Sequence, residues 1–111
     1  MNEKTPNRGD LIYLNFTPQS GHEQAGRRPG IVLSSEQFNT ATGFAVVCPI
    51  TDQVKGYPFE VVLPDDLQIK GVVLTDQIKS LDWRARQVQI VGQATEETVE
   101  KCLELIQLYL S

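Results

Sequence analysis

The chain has 111 residues, of which 41% are apolar and 22% charged, and ten Lys and Arg face fourteen Asp and Glu for a formal net charge of −4. This composition describes one small domain over residues 1–111 and excludes a disordered, collagen-like or disulfide-stapled chain. The acidity is concentrated at the end: residues 93–111 hold four Glu and one Lys, which leaves residues 1–92 with nine basic and ten acidic groups, so basic patches for a phosphate backbone remain open there.

The first ten residues are polar and mixed in charge, unlike the apolar core of a secretory signal. No apolar run approaches the roughly 20 residues of a membrane span. The expectation is a cytoplasmic protein with no membrane contact. Short β-branched runs punctuated by Gly and Pro then predict strands near 10–17 (DLIYLNFT), 29–34 (PGIVLS), 44–50 (FAVVCPI), 59–63 (FEVVL), 71–78 (GVVLTDQI) and 86–92 (RQVQIVG). Their spacing suits a small β-barrel or sandwich. Between the first two runs lies PQSGHEQAGRR, long for a hairpin loop and rich in groups that donate or accept protons. Ser34 followed by Gln37 resembles a capping box for a short helix that Gly43 would end. Thr95 is placed to cap a second helix with Glu96 and Glu97 in its first turn, where the helix dipole favours acids. Val99, Cys102, Leu103, Ile106 and Leu110 follow at helical spacing, and Leu105, Leu108 and Tyr109 widen the apolar face beyond what one packing surface needs. That face reads as a core contact, with a subunit contact as the sharper alternative. Cys48 and Cys102 lie in apolar surroundings without the spacing of a metal knuckle or redox pair, and are read as buried free thiols.

No glycine-rich phosphate loop, His or Cys metal cluster or serine elbow is present, and the single histidine, His22, excludes a two-histidine acid/base pair within one chain. Three clusters remain. In HEQAGRRPG, Glu23 is a candidate proton acceptor, and Arg28, held next to Pro29, offers a fixed fork of donors that matches phosphate. The alternative is a surface ion pair. Thr51 and Asp52 follow a predicted strand, with Lys55 on the next loop, and a hydroxyl there suits a phosphoryl oxygen as well as it suits a turn. In TDQIKSLDWRAR, Trp83 stands among Asp76, Lys79, Arg84 and Arg86, a combination that suits either single-stranded nucleic acid or a core Trp between solvated charges. An acceptor, fixed cations and hydroxyls together suit RNA cleavage by the substrate's own 2′-hydroxyl, whereas DNA lacks that internal nucleophile.

At these same residues the sequence resembles the MazF/PemK family of toxin endoribonucleases. The matching stretches are RGDLIYLNFTP at 8–18, GHEQAGRRPGIVLS at 21–34, PIT at 49–51, KGYPFEVVL at 55–63 and GVVLTDQIKSLDWRAR at 71–86. The resemblance implies a mainly β fold: a compact antiparallel SH3-like barrel of the CcdB/PemK type, with short helices, a C-terminal α-helix and a homodimer. It implies metal-independent cleavage of single-stranded RNA at short sequences, leaving a 2′,3′-cyclic phosphate and a 5′-hydroxyl, with no cofactor. The family's catalytic Arg, Thr and loop Glu fall on Arg28, Thr51 and Glu23. An Arg parts with its proton reluctantly, so Arg28 is expected to stabilise the phosphorane and the departing oxygen, with Glu23 as base and Thr51 as donor. His22, Gln24, Arg27, Lys55, Asp76, Gln77, Lys79, Trp83, Arg84 and Arg86 are assigned to RNA binding or support of the site. One branch of the family places an Arg two residues before the Asp matched by Asp76; Leu74 stands there, which demotes Asp76 to a supporting role. The implied partner is a MazE-like antitoxin whose acidic, apolar tail covers the RNA groove, with Lys55, Lys79, Arg84 and Arg86 as contacts for either ligand.

Two other classes compete with this reading. A non-enzymatic CcdB-like inhibitor of gyrase would be marked by a terminal Trp-Gly-Ile, but the chain ends Leu108, Tyr109, Leu110, Ser111. A bare SH3-like adaptor would leave Glu23, Arg28 and Thr51 without a shared role.

Overall fold

The structure, a computed structural model, describes residues 4–17 and 26–111. In chain order the elements are β1 (Asp10–Asn15), β2 (Arg27–Val32), α1 (Glu36–Thr42), β3 (Phe44–Thr51), β4 (Glu60–Val62), β5 (Val72–Leu74), a 3₁₀ turn (Thr75–Gln77), β6 (Lys79–Asp82), β7 (Gln89–Gln93) and α2 (Glu96–Leu110). All pairings are antiparallel. The strands form one seven-stranded sheet in the order β4-β5-β3-β2-β1-β7, and β6 branches from β3. β3 is the hub. Its first half pairs with β6, its last two residues pair with β5, and β2 runs along its other edge.

β1, most of β3 and the second half of β2 are buried on both faces, which is why those stretches read as nearly unbroken apolar runs, whereas β2 opens on the exposed Arg27 and Arg28. Leu11, Ile31, Cys48 and Ile50 point to one face and pack with Val99, Cys102 and Ile106 of α2. Ile12, Leu14, Phe16, Val32 and Val47 point to the other and pack with Leu81 and Trp83. Thr95 caps α2 by accepting from the Thr98 N–H, and Glu96 and Glu97 fill its first turn, as expected. The buried stripe is narrower than the spacing predicted. Val99, Cys102 and Ile106 face the sheet with Tyr109 half-buried behind them, whereas Leu103 and Leu110 lie one residue further round the helix and are exposed. Both cysteines are buried free thiols. None of the described helices is long and apolar enough to cross a membrane.

Three local expectations are corrected and one strand is added. The cap of α1 is Ser35, not Ser34: the Ser35 hydroxyl accepts from the Phe38 N–H, while the Ser34 hydroxyl bonds the Asn39 side chain and accepts from the Val46 N–H. Gly43 does end the helix, in the left-handed conformation. The strand predicted over 71–78 stops at Leu74 because the Thr75 N–H and hydroxyl both donate to the Phe59 carbonyl and turn the chain into a 3₁₀ helix. β6 was unforeseen, since KSLD has no β-branched residue and buries only Leu81; its partner β3 decides it. The last strand begins at Gln89 rather than 86, because a turn intervenes in which Arg86 and Gln87 donate to the Asp82 and Arg84 carbonyls and Gln87 takes a positive φ of 56°.

Candidate active site

Two of the candidate residues, Arg28 and Thr51, meet just beyond the last pair of the β2–β3 ladder. The β2–β3 ladder pairs Val32 with Val47, Ile31 with Cys48 and Gly30 with Pro49. Continuing that register brings Arg28 level with Thr51, the last residue of β3. Both line one open cleft of about 450 Å³, together with Tyr13, Pro29, Asp52, Gln68 and Lys70. Arg28 is exposed and Thr51 half-buried, so the guanidinium and the hydroxyl are reachable from solvent. Arg28 is set by rigid neighbours: Pro29 fixes the backbone beside it, and it pairs with Leu14 of β1.

Thr51 is held more closely still. It pairs with Val72 of β5, and its hydroxyl oxygen accepts from the Gln53 N–H at 3.1 Å, which leaves the hydroxyl proton to donate elsewhere. Gly71 lies against its carbonyl: a Cβ at Gly71 would stand 2.1 Å from the Thr51 oxygen, and its φ is +121°. Thr51 also lines a second cleft of about 420 Å³ with Lys55, Tyr57, Phe59, Asp76 and Gln77. It therefore stands at the junction of two adjoining concavities, with Arg28 and Lys70 on one side and Lys55 on the other. Asp76 lines the second cleft and not the one that holds Arg28.

That second cleft is braced from below. The Tyr109 hydroxyl donates to the Thr75 carbonyl at 2.7 Å, and the Tyr109 ring meets Phe59 edge-on with centroids 5.5 Å apart. Burial, then the nearby Cys48 and Asp76, push the Tyr109 phenol above its ordinary range. Burial likewise pushes the Cys48 thiol far up, with Cys102 and Asp76 adding to it, and raises Cys102 to about 12, so neither is a ready nucleophile.

The remaining candidates divide. Trp83 is 1% exposed and its indole N–H donates to the Asn39 carbonyl at 3.0 Å, so it is a core residue and not a stacking platform. Arg84 lies over its ring, 4.8 Å from the centroid. Arg86 donates to the Asn15 and Thr17 carbonyls, and Arg27 donates to the Gln87 carbonyl and the Gln89 side chain. These two arginines tie β1 and β2 to the turn before β7, and neither lines either cleft. Lys79, on β6, pairs with Val47 of β3 and lines neither cleft. His22, Glu23 and Gln24 lie outside the described residues. The residues that flank them are pinned, since Phe16 donates to the Gly26 carbonyl and Gly26 donates to the Thr17 hydroxyl. Sequence reasoning missed Tyr13, Tyr57, Gln68 and Lys70. Tyr13 was accessible in principle as the half-buried member of DLIYLN, but Gln68 and Lys70 reach the cleft only because β5 folds back on β3. Among the described residues no three His, Cys, Asp or Glu side chains are grouped as a metal site.

The fold and the cleft define a small β protein with cationic and hydroxyl groups gathered on an open concave surface. Residues 7–110 match the family model described as PemK-like, MazF-like toxin of type II toxin-antitoxin system, and the chain belongs to that family. It is 47% identical over 95 residues to the endoribonuclease toxin MazF of Escherichia coli K12, covering 86% of this chain and 85% of the relative. It is 39% identical to the endoribonuclease toxin ChpB of the same organism, covering 90% of each. The crystal structure of MazF from Deinococcus radiodurans superposes with a TM-score of 0.94 at 45% identity, covering 97% of this chain and 98% of that one. A MazE–MazF complex from that organism is similar too, with a TM-score of 0.87 at 39% identity over 98% of both chains.

Proposed function

We propose that this chain is the endoribonuclease toxin of a type II toxin-antitoxin pair, cutting single-stranded RNA by attack of the 2′-hydroxyl on the adjacent phosphorus. The convergence of Arg28 and Thr51, from two strands, on one cleft is the observation that carries the site assignment. Both close relatives named above are endoribonuclease toxins, which supports the same reaction class here. In the proposed step the 2′-oxygen bonds to phosphorus, its proton passes to Glu23, and a phosphorane forms. The bond from phosphorus to the 5′-oxygen then breaks and that oxygen takes a proton from water, giving a 2′,3′-cyclic phosphate and a 5′-hydroxyl. Arg28 faces the charge that builds on the non-bridging and departing oxygens, and Thr51 donates to a phosphoryl oxygen. Lys70 and Lys55 hold the strand on either side of Thr51 as unfocused charges.

The structural similarity to a MazE–MazF complex supports a MazE-like antitoxin as partner, whose acidic tail would lie along the same cationic clefts. A homodimer accords with the apolar side chains left exposed at Val62, Leu103, Leu108 and Leu110. RNA as substrate and two reduced thiols suit the cytoplasm. A gyrase-directed toxin of related fold is disfavoured by the endoribonuclease relatives.

The test is incubation with a long unstructured RNA and a matched DNA in EDTA, beside Arg28→Ala and Thr51→Val, with the product ends mapped. Discrete cuts in RNA alone, ending in cyclic phosphate and slowed about 10²-fold or more by Arg28→Ala, are expected. Intact RNA from a folded protein that still arrests growth would refute the reading.

A further inference from the structure

We propose that the ring of Tyr57 is the stacking surface for one unpaired base of the RNA strand lying in the cleft beside Thr51. The inference rests on the ribonuclease reading and deepens it by assigning a base-binding residue. Three aromatic side chains line the two clefts. Tyr13 is half-buried against the core, and Phe59 is half-buried against Tyr109. Tyr57 is 59% exposed.

Its backbone, by contrast, is fixed. The Glu60 carboxylate accepts from the Gly56 N–H at 2.9 Å and the Lys55 N–H at 3.4 Å, closing the loop upon itself. The Glu60 N–H donates to the Tyr57 carbonyl at 3.1 Å, Pro58 follows directly, and the Phe59 carbonyl is held by Thr75. Gly56 supplies the positive φ of 75° that lets the turn form. A large ring displayed on so constrained a turn loses little conformational freedom when it meets a flat partner. Its cleft neighbours suit a nucleotide: Lys55 answers the backbone, Gln77 offers an amide to a base edge, and Thr51 is the proposed donor at the reacting phosphate. A stacked base is therefore held within reach of the reacting group, so Tyr57 contributes to affinity and to the choice of cleavage position.

The experiment uses the full chain and an RNA oligonucleotide containing a mapped cut site, made uncleavable by 2′-O-methylation at the attacking ribose. Versions of that oligonucleotide each lacking one base are compared. Tyr57→Ala is expected to weaken binding by about tenfold, with Tyr57→Phe restoring most of it. The loss should vanish on one abasic oligonucleotide only, the one lacking the stacked base. Thermal melts should be unchanged, because Glu60 rather than the ring holds the loop. Unweakened binding by Tyr57→Ala, or a loss equal on every abasic version, overturns the stacking role while leaving the ribonuclease reading intact. Failure of the wild-type protein to cut any RNA overturns both.

Discussion

Gly71→Ala is the sharpest test of how Thr51 is positioned. A methyl group at Gly71 would stand 2.1 Å from the Thr51 carbonyl oxygen and 2.7 Å from its carbon, where ordinary contact begins at 3.4 Å. These are backbone atoms, so no rotamer change relieves the clash; β5 must move from β3. Holding an alanine at a φ of +121° costs about 1–3 kcal/mol by itself. Loosening the Ile50↔Val73 and Thr51↔Val72 pairing forfeits hydrogen bonds of about 1 kcal/mol each. The sum, about 3–5 kcal/mol, is a large part of the 5–15 kcal/mol typical of a domain. At about 4 °C per kcal/mol for a chain of this size, the midpoint of unfolding should fall by roughly 12–20 °C. Circular dichroism melts measure this, and RNA cleavage measured well below both midpoints reports the displacement of Thr51 in molecules that remain folded. A midpoint within about 2 °C of wild type, with undiminished cleavage, would refute the close approach of Gly71 to Thr51.

Trp83→Ala should cost about 3–5 kcal/mol in urea unfolding, since it empties a core site and removes the donor to Asn39. Saturating RNA should leave the Trp83 fluorescence unquenched, and quenching by a stacked base would restore the surface reading. Cys48 and Cys102 should resist alkylation in the native state. Because burial raises their folded pKa, unfolding at high pH releases protons: stability is fully present below the ordinary thiol value of 9.0 and declines as pH climbs toward about 12, where Cys102 ionises in the folded state. Denaturant melts across that range check it, and Cys102→Ala should flatten the slope. Arg86→Ala should cost about 1–2 kcal/mol in the same melts by freeing the Asn15 and Thr17 carbonyls. Arg86→Lys should recover only part of this, because the ammonium sits on a shorter stem than the Nη1 that donates to both carbonyls.

The two arginines 27 and 86 show how position alters a residue's meaning. As residue types they resemble contacts for an RNA backbone, yet their donors are spent on backbone carbonyls across β1, β2 and the turn before β7. Nothing local in RRPG or DWRAR separates such a brace from Arg28, which differs by one residue and faces the cleft. Alternation along a strand sends neighbours to opposite faces, and only the sheet decides which face is the site.

The sequence alone determined the elements whose signals are local: the Thr95 cap and acidic first turn of α2, the Gly43 stop of α1, and the apolar runs of β1 to β3. It also determined the family, because several motifs stand in order along residues 7–110. Tertiary structure decided what depends on partners far along the chain. β6 exists because β3 offers an edge, Trp83 is buried because α1 presents the Asn39 carbonyl, and Leu103 and Leu110 lie exposed because the sheet covers only one stripe of α2. Arg28, Thr51, Lys70 and Tyr57 come together for the same reason: the register of β2, β3 and β5 brings separate segments to the two adjoining clefts, and register is a property of the paired strands, not of any one.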